Sequence, residues 1–207
     1  MKGLFITFEG PDASGKTTQI NRLKSMLQEQ GIEPLMTREP GGTPISEKIR
    51  SIILDKENAE MLPVTEALLY AASRAQHVGE VIIPALDAGR IVISDRFLDS
   101  SIAYQGYGRE MGSIIEEMNA PAVYGIKPDI TFLLKTDPAN MRSRRSAAEE
   151  DRMDAQKIEF HQKVLAGYLA IAEREPERVK VIDGERDIDV IAAEIAEIVT
   201  DFLRNRG

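Results

Sequence analysis

Gly10-Pro11-Asp12-Ala13-Ser14-Gly15-Lys16-Thr17 is the stretch whose residue types and spacing most clearly suggest chemistry. It fits G-x-x-x-x-G-K-[ST], the phosphate-binding P-loop. Gly10 and Gly15 carry no Cβ, so the backbone can turn tightly there and approach a ligand closely. The loop amides then face phosphate oxygens, and a helix beginning near Lys16 adds the positive end of its dipole. Lys16 can reach β- and γ-phosphates and the Thr17 hydroxyl can ligate Mg²⁺. Thr18 closes the expected nucleotide-binding stretch.

Other residues with chemical potential follow at intervals. Arg38-Glu39 ends a predicted strand, where an Arg either meets a ligand at the sheet's carboxyl edge or pairs with Glu39 at the surface. Glu66, Tyr70 and Arg74 recur every four residues on one helical stripe. Tyr70 and Arg74 can stack on and hydrogen-bond a base, or be a core Tyr beside a snorkelling Arg. His77, one turn on, caps or packs rather than catalyses. Asp95-Arg96 follows an apolar strand, where a second Mg²⁺-directing acid is expected downstream of a P-loop. Arg96 can neutralise a phosphoryl group in transfer, the alternative being a surface ion pair with its neighbour. Ser101, Tyr104 and Gln105 form one hydrogen-bonding wall if their segment is helical. Ser143 to Asp151 mixes charges with no apolar residue larger than Ala147 and Ala148. It suits either a lid that brings Arg onto phosphates or a merely solvated loop.

These residues need elements to position them. Leu4 to Glu9 is a short apolar run of strand type, and Ile20, Leu23, Met26 and Leu27 recur at helical spacing after the loop. Further strands are predicted at Ile32 to Thr37, Ile91 to Ser94, Ile130 to Leu134 and Val179 to Ile182. Helices are predicted between them: Ile45 to Leu54 with Ile45, Ile49 and Ile52 or Ile53 inward, a long one from Val64 to Ala88 bent near Pro84, and Lys157 to Arg174. Ile188 to Phe202 closes the chain. Five strands alternating with helices predict a three-layer α/β/α fold, a parallel sheet covered on both faces. With no repeat or linker, residues 1–207 read as a single domain.

Composition narrows the function. The 207 residues carry a net charge of −8, which argues against non-specific nucleic-acid binding. An anionic ligand must be met by local arginines and lysines. With no cysteine, disulfides and thiol catalysis are excluded; with only two histidines as well, a zinc site is not expected. The start, Met1-Lys2-Gly3-Leu4, leads directly into the first strand, with no signal peptide and no membrane-length apolar run. A cytoplasmic location and no membrane partner are the expectation. Two reaction classes remain: a small kinase moving the γ-phosphoryl of ATP to a second nucleotide, or a GTP-binding switch. The chain lacks N-K-x-D, and no D-x-x-G follows at Asp95. Its arginines suit transfer between two polyanions better. A motor ATPase would need accessory domains, of which there is no sign.

Several blocks in order carry a family resemblance. They are Phe8-Glu9-Gly10-Pro11-Asp12 into the P-loop, Thr37-Arg38-Glu39-Pro40-Gly41-Gly42-Thr43, Leu68 to His77, Asp95-Arg96-Phe97, Ser101 to Gly106, and Asp151-Arg152. Over nearly its full length the chain resembles the thymidylate (dTMP) kinases, of the nucleoside-monophosphate kinase fold. The resemblance implies ATP and dTMP as substrates, Mg²⁺, a homodimer, and a small lid at about 142–153. It implies that Asp12 contacts the acceptor's 3′-hydroxyl, and that Arg38 and Arg96 hold the acceptor phosphate and the phosphoryl in flight. Tyr70 would stack on thymine, Arg74 donate to its carbonyl, and Ser101 and Gln105 complete the contacts to base and sugar. Tyr104 would pack against the sugar, disfavouring a 2′-hydroxyl. In this family one catalytic Arg lies either just after the P-loop Asp or in the lid. Ala13 occupies the first position, which implicates lid residues Arg145 and Arg152.

Overall fold

The computed structural model describes residues 3–141, 152–153 and 155–205. Five strands form one parallel sheet: β1 (Leu4–Glu9), β2 (Leu35–Arg38), β3 (Ile91–Asp95), β4 (Ile130–Lys135) and β5 (Val179–Asp183). Their order is β2-β3-β1-β4-β5. β1 lies at the centre, with later strands added on both sides of it. A crevice therefore opens at its carboxyl end, where the strand order reverses. The P-loop occupies that end, and α1 (Lys16–Glu29) leads away from it.

The apolar residues of the sheet explain the layers. Leu4, Ile6 and Phe8 alternate to one face, where they pack with Ile93, Phe132 and Leu134 against Ile20, Leu23 and Leu27 of α1. Ile191, Ile195 and Val199 of the C-terminal helix complete that layer. This helix is the last of nine α-helices in the described chain, and we number it α9 (Ile188–Arg204). Phe5 and Val92 point to the opposite face, toward Val78, Ile82 and Leu86. Farther along that face Leu133 and Val179 meet Val164, Tyr168 and Ile171 of α8 (Ile158–Arg174). Burying a large aliphatic or aromatic chain contributes about 1.5–3 kcal/mol, so this two-sided apolar sheet is the main stabilising layer.

Three helical segments depart from the sequence expectation. The predicted Val64–Ala88 helix is α3 (Pro63–His77), a π-helical turn (Val78–Ile82) and α4 (Ile83–Asp87). Pro84 has no amide hydrogen and its ring crowds the carbonyl four residues back, so a wider turn precedes it. In α2 (Pro44–Leu54) the inward residues are Ser46 and Ile53, whereas Ile45 and Ile52 are exposed. The second strand begins at Leu35 rather than Ile32. After β3 the chain forms α5 (Leu98–Ser101) and then a π-helical stretch, Ile102–Gly108, which shifts the phase of its side chains. α6 (Ile114–Asn119) and α7 (Pro138–Met141) are short. Among the described residues no helix is long and apolar enough to cross a membrane.

Candidate active site

The loop after β1 is shaped by close backbone approach. Gly10 has φ +131°, and a Cβ there would lie 2.5 Å from the Leu134 carbonyl oxygen. No other residue fits that position without displacing β4. Lys16 is buried, and its Nζ donates to the carbonyls of Gly10 (3.1 Å) and Pro11 (2.7 Å). Burial, with the Arg96 charge nearby, lowers its pKa to about 8. Thr17 and Thr18 are exposed at the start of α1.

The end of β3 brings the second set of residues. Its register sets Asp95 level with Phe8 on one side and Arg38 on the other. Asp95 Oδ1 is buried without a hydrogen-bond partner. The surface ion pair between Asp95 and Arg96 does not form. Arg96, held at φ +72°, turns to Asp12 instead, with Nη2 donating to Oδ1 at 2.8 Å. Its Nη1 donates to the Gly10 carbonyl (2.9 Å), Tyr168 OH (3.0 Å) and Ser100 Oγ (3.1 Å). Its guanidinium also lies over the Tyr104 ring, 5.2 Å from the centroid. Burial opposes its charge, but Asp12, the two phenols and Asp95 outweigh that, and its pKa rises well above the arginine range. Behind it, Glu9 is buried and accepts from Phe97 N (2.7 Å), Ser100 Oγ (2.5 Å) and Tyr168 OH (3.2 Å). Burial and then the Asp99 charge raise the Glu9 pKa to about 8.

A third group is anchored by the segment after β2. Arg38 does not pair with Glu39; it donates to the Pro40 carbonyl (2.6 Å) and to Glu47 Oε2 (2.8 Å). Glu39 is buried, and its two oxygens take Arg74 Nε (2.8 Å) and His77 Nδ1 (2.9 Å). His77 Nε2 meets the Thr37 hydroxyl at 2.6 Å, so this histidine is a buried brace. Arg74 is 2% exposed and does not snorkel. It also donates to Ser101 Oγ (3.0 Å), the Phe97 carbonyl (3.0 Å) and Asn119 Oδ1.

Two adjoining cavities result. The first, about 380 Å³, is lined by Asp12, Ala13, Gly15, Lys16, Thr17, Thr18, Arg38, Glu39, Arg50, Asp95 and Arg96. The second, narrower at about 70 Å³, is lined by Asp12, Glu39, Pro40, Arg50, Leu54, Tyr70, Arg74, Arg96, Phe97, Ser100, Tyr104, Gln105 and Met153. Asp12, Glu39, Arg50 and Arg96 belong to both. The first is lined mostly by charged and polar groups; the second, which we call the slot, presents an aromatic ring, an Arg and an amide. Such a pair has the lining to receive a phosphate group on one side and a planar base on the other.

The family-model comparison decides the lineage. The thymidylate kinase model matches residues 8–195. The chain belongs to the thymidylate kinase family. It is 50% identical over 208 residues to the thymidylate kinase of Lactobacillus delbrueckii subsp. bulgaricus, covering 98% of each chain. It is 47% identical to that of Pelotomaculum thermopropionicum, covering 100% of this chain and 99% of the relative. The crystal structure of thymidylate kinase from Ehrlichia chaffeensis superposes with a TM-score of 0.77 at 35% identity, over 97% of this chain and 100% of that one. The thymidylate kinases are phosphotransferases, and the parallel α/β P-loop architecture described above is theirs.

Within that family frame, most residues singled out from sequence line one cavity or the other. Ser101 does not; it braces Arg74, and Ser100 faces the slot instead. Arg152 lines neither cavity. It is buried, with Nε donating to the Ile53 carbonyl (2.8 Å) and Nη2 lying 2.7 Å from Glu66 Oε2. Its side-chain contacts in this structure are therefore to Ile53 and Glu66. Arg145, with residues 142–151 of the expected lid, lies outside the described residues. Sequence reading missed Glu9, Arg50, Ser100, Met153 and Tyr168. Only Glu9 carried a signal, a carboxylate ending an otherwise apolar strand.

The donor set suits Mg²⁺. This hard cation takes one or two protein oxygens and fills its other positions with phosphate and water. A buried, unpartnered Asp95 oxygen and the Thr17 hydroxyl line the same cavity. Among the described residues no cluster of three His, Cys, Asp or Glu offers an all-protein metal cage.

Proposed function

We propose that this chain phosphorylates dTMP to dTDP with ATP·Mg²⁺, in the cytoplasm, as a step in dTTP supply for DNA synthesis. The observation that carries the reading is the pair of cavities meeting at Asp12, Glu39, Arg50 and Arg96. The larger one takes the donor triphosphate on the loop Gly10 to Thr18. The slot takes the acceptor base, with Tyr70 stacking on it, Arg74 and Gln105 at its edge, and Tyr104 against the sugar. Asp12 accepts from the acceptor 3′-hydroxyl, since a carboxylate is a good partner for a hydroxyl.

Chemistry then needs positioning and charge rather than covalent help. An acceptor phosphate oxygen attacks the γ-phosphorus in line, a new P–O bond forms, and the bond to the β-phosphate oxygen breaks to release ADP. No general base is needed, because the attacking phosphate is already anionic at neutral pH. Lys16, Arg38 and Arg96 neutralise charge on the two facing phosphates. Thr17 and Asp95 would hold Mg²⁺, which when bound would supply further charge neutralisation to the donor phosphates. Arg145 is a lid candidate for the remaining cation. In this reading Arg152 supports the slot rather than the phosphoryl group.

We also read the chain as a homodimer. Ile45 and Ile52 are two turns apart on α2, Val64 and Leu68 one turn apart on α3, and all four are exposed on packed helices.

ADP release measured with dTMP, dUMP, UMP, dCMP, AMP and GMP tests the function. Selective turnover of dTMP is expected. Preference for UMP or dCMP would keep the mechanism and discard the roles of Tyr70 and Arg74. No turnover with any acceptor would refute the kinase reading.

A further inference from the structure

Glu66 is wholly buried on α3, one turn before Tyr70, and lines neither cavity. Its oxygens are surrounded by donors. Arg109 grips it with two bonds, Nε to Oε1 at 3.2 Å and Nη2 to Oε2 at 3.0 Å. Arg152 Nη2 adds a third charge contact, close but misaligned for a hydrogen bond. Gln105 Nε2 donates to Oε1 at 3.0 Å. Burial opposes the Glu66 charge, but the Arg109 bonds and the neighbouring donors outweigh it and lower its pKa. An ionised carboxylate only accepts hydrogen bonds. Gln105 must therefore turn its NH₂ group to Glu66. Its carbonyl Oε1 is left buried, without a partner, on a residue that lines the slot. Arg74, on the same slot, has one Nη2 hydrogen not used in the bonds given above.

We infer that Glu66 is a specificity-determining positioning residue: by fixing the Gln105 amide, it makes the slot present one acceptor and one donor to the base edge. This rests on the dTMP reading and deepens it. A pyrimidine-2,4-dione offers an N3–H donor to Gln105 Oε1 and an O4 acceptor to Arg74. Cytosine offers the reverse at both atoms, a bare N3 and an amino group. Two acceptors then face each other, and so do two donors. Uracil shares the edge of thymine and differs only by the methyl group, so the device discriminates against the amino-pyrimidine alone.

The test is Glu66→Gln, with kcat/KM measured for dTMP, dUMP and dCMP. A neutral amide at 66 can donate to Gln105 Oε1 and release the fixed orientation. The expected result is a fall of about tenfold in the dTMP:dCMP ratio, the order of one mispaired buried polar group. The dTMP:dUMP ratio stays within about twofold. An equal loss for all three acceptors would overturn the inference and leave Glu66 a stabilising ion-pair centre. In a Gln105→Met background, Glu66→Gln should no longer move the dTMP:dCMP ratio; a further shift would show that Glu66 does not act through Gln105. If Gln105→Met leaves dTMP turnover unchanged, the base-slot reading itself fails. Should Glu66→Gln not fold, NMR on the unmodified chain decides. On dTMP binding the Gln105 Cδ resonance should move while its Nε2 proton shifts stay nearly fixed. Movement of the amide protons instead would mean that the NH₂ reads the base, and would overturn the proposal.

Discussion

Lys16 and Glu9 are both buried and titratable, yet their surroundings assign them opposite tasks. Lys16 Nζ rests on two loop carbonyls, which are weaker partners than phosphate oxygens. Loss of solvation holds its pKa at about 8, so binding a polyanion restores what burial removed. Lys16→Ala should lower kcat by about 10²–10³-fold, the order seen when one preorganised charge stabiliser is deleted. A variant keeping most of its rate would refute the P-loop role. Glu9 is raised by burial from an ordinary 4.5 to about 8, so between those values the folded chain binds more protons than the unfolded one. Stability from this group is then greatest at low pH and is lost as pH rises through about 8. Lys16, lowered from 10.5 to about 8, acts only above that window, where its contribution rises with pH. The melting temperature of Glu9→Gln relative to the parent should therefore climb steadily from pH 5 to pH 8. A flat difference would show that Glu9 stays ionised throughout.

α3 shows what one element can do with two faces. Glu66, Tyr70, Arg74 and His77 lie along the side that builds the slot and its braces, while Val64 and Leu68 stay exposed on the other. If the exposed side is a self-complementary dimer surface, a charge at its centre cannot be buried without a partner. Leu68→Arg should shift sedimentation from the dimer to the single-chain mass, with the melting transition of the fold retained. A single-chain mass for the unsubstituted protein would discard the dimer. The same helix marks how far sequence reaches. The four-residue stripe and the P-loop were legible because spacing alone fixes which side chains share a face. The inward face of α2 was read correctly at Ile53 and wrongly at Ile45, because Ile45 and Ile52 are apolar residues without cover from the described residues, and periodicity does not distinguish a core from an interface. Ser100 and Ser101 could not be told apart, since α5 gives way to a π-helical stretch and the helical phase changes there. The Arg38–Glu47 and Arg152–Glu66 pairs join residues far enough apart in sequence that only the fold specifies them.

At the scale of the molecule, a chain of net charge −8 must bring two polyanions together. The fold does so by setting the carboxyl ends of β1, β2 and β3 side by side. Lys16, Arg38 and Arg96 then stand at one edge of the sheet, while α3 and the Ile102–Gly108 stretch wall off the slot. The division has a consequence for metal dependence. The candidate Mg²⁺ oxygens, Thr17 and Asp95, line only the larger cavity; apart from Asp12 and Glu39, which both cavities share, the slot presents arginine, aromatic and amide groups that need no cation to hold a base and a monophosphate. Chelating divalent ions should abolish turnover yet change the dissociation constant of dTMP, measured alone by calorimetry, by less than about threefold, a difference under 1 kcal/mol. Asp95→Asn should reproduce the split, lowering kcat with added Mg²⁺ while leaving dTMP binding nearly unchanged. If chelation weakens dTMP binding as much as it slows turnover, the metal belongs to the acceptor compartment as well. Asp12 or Glu39, the two carboxylates common to both cavities, would then be the residue that brings it there.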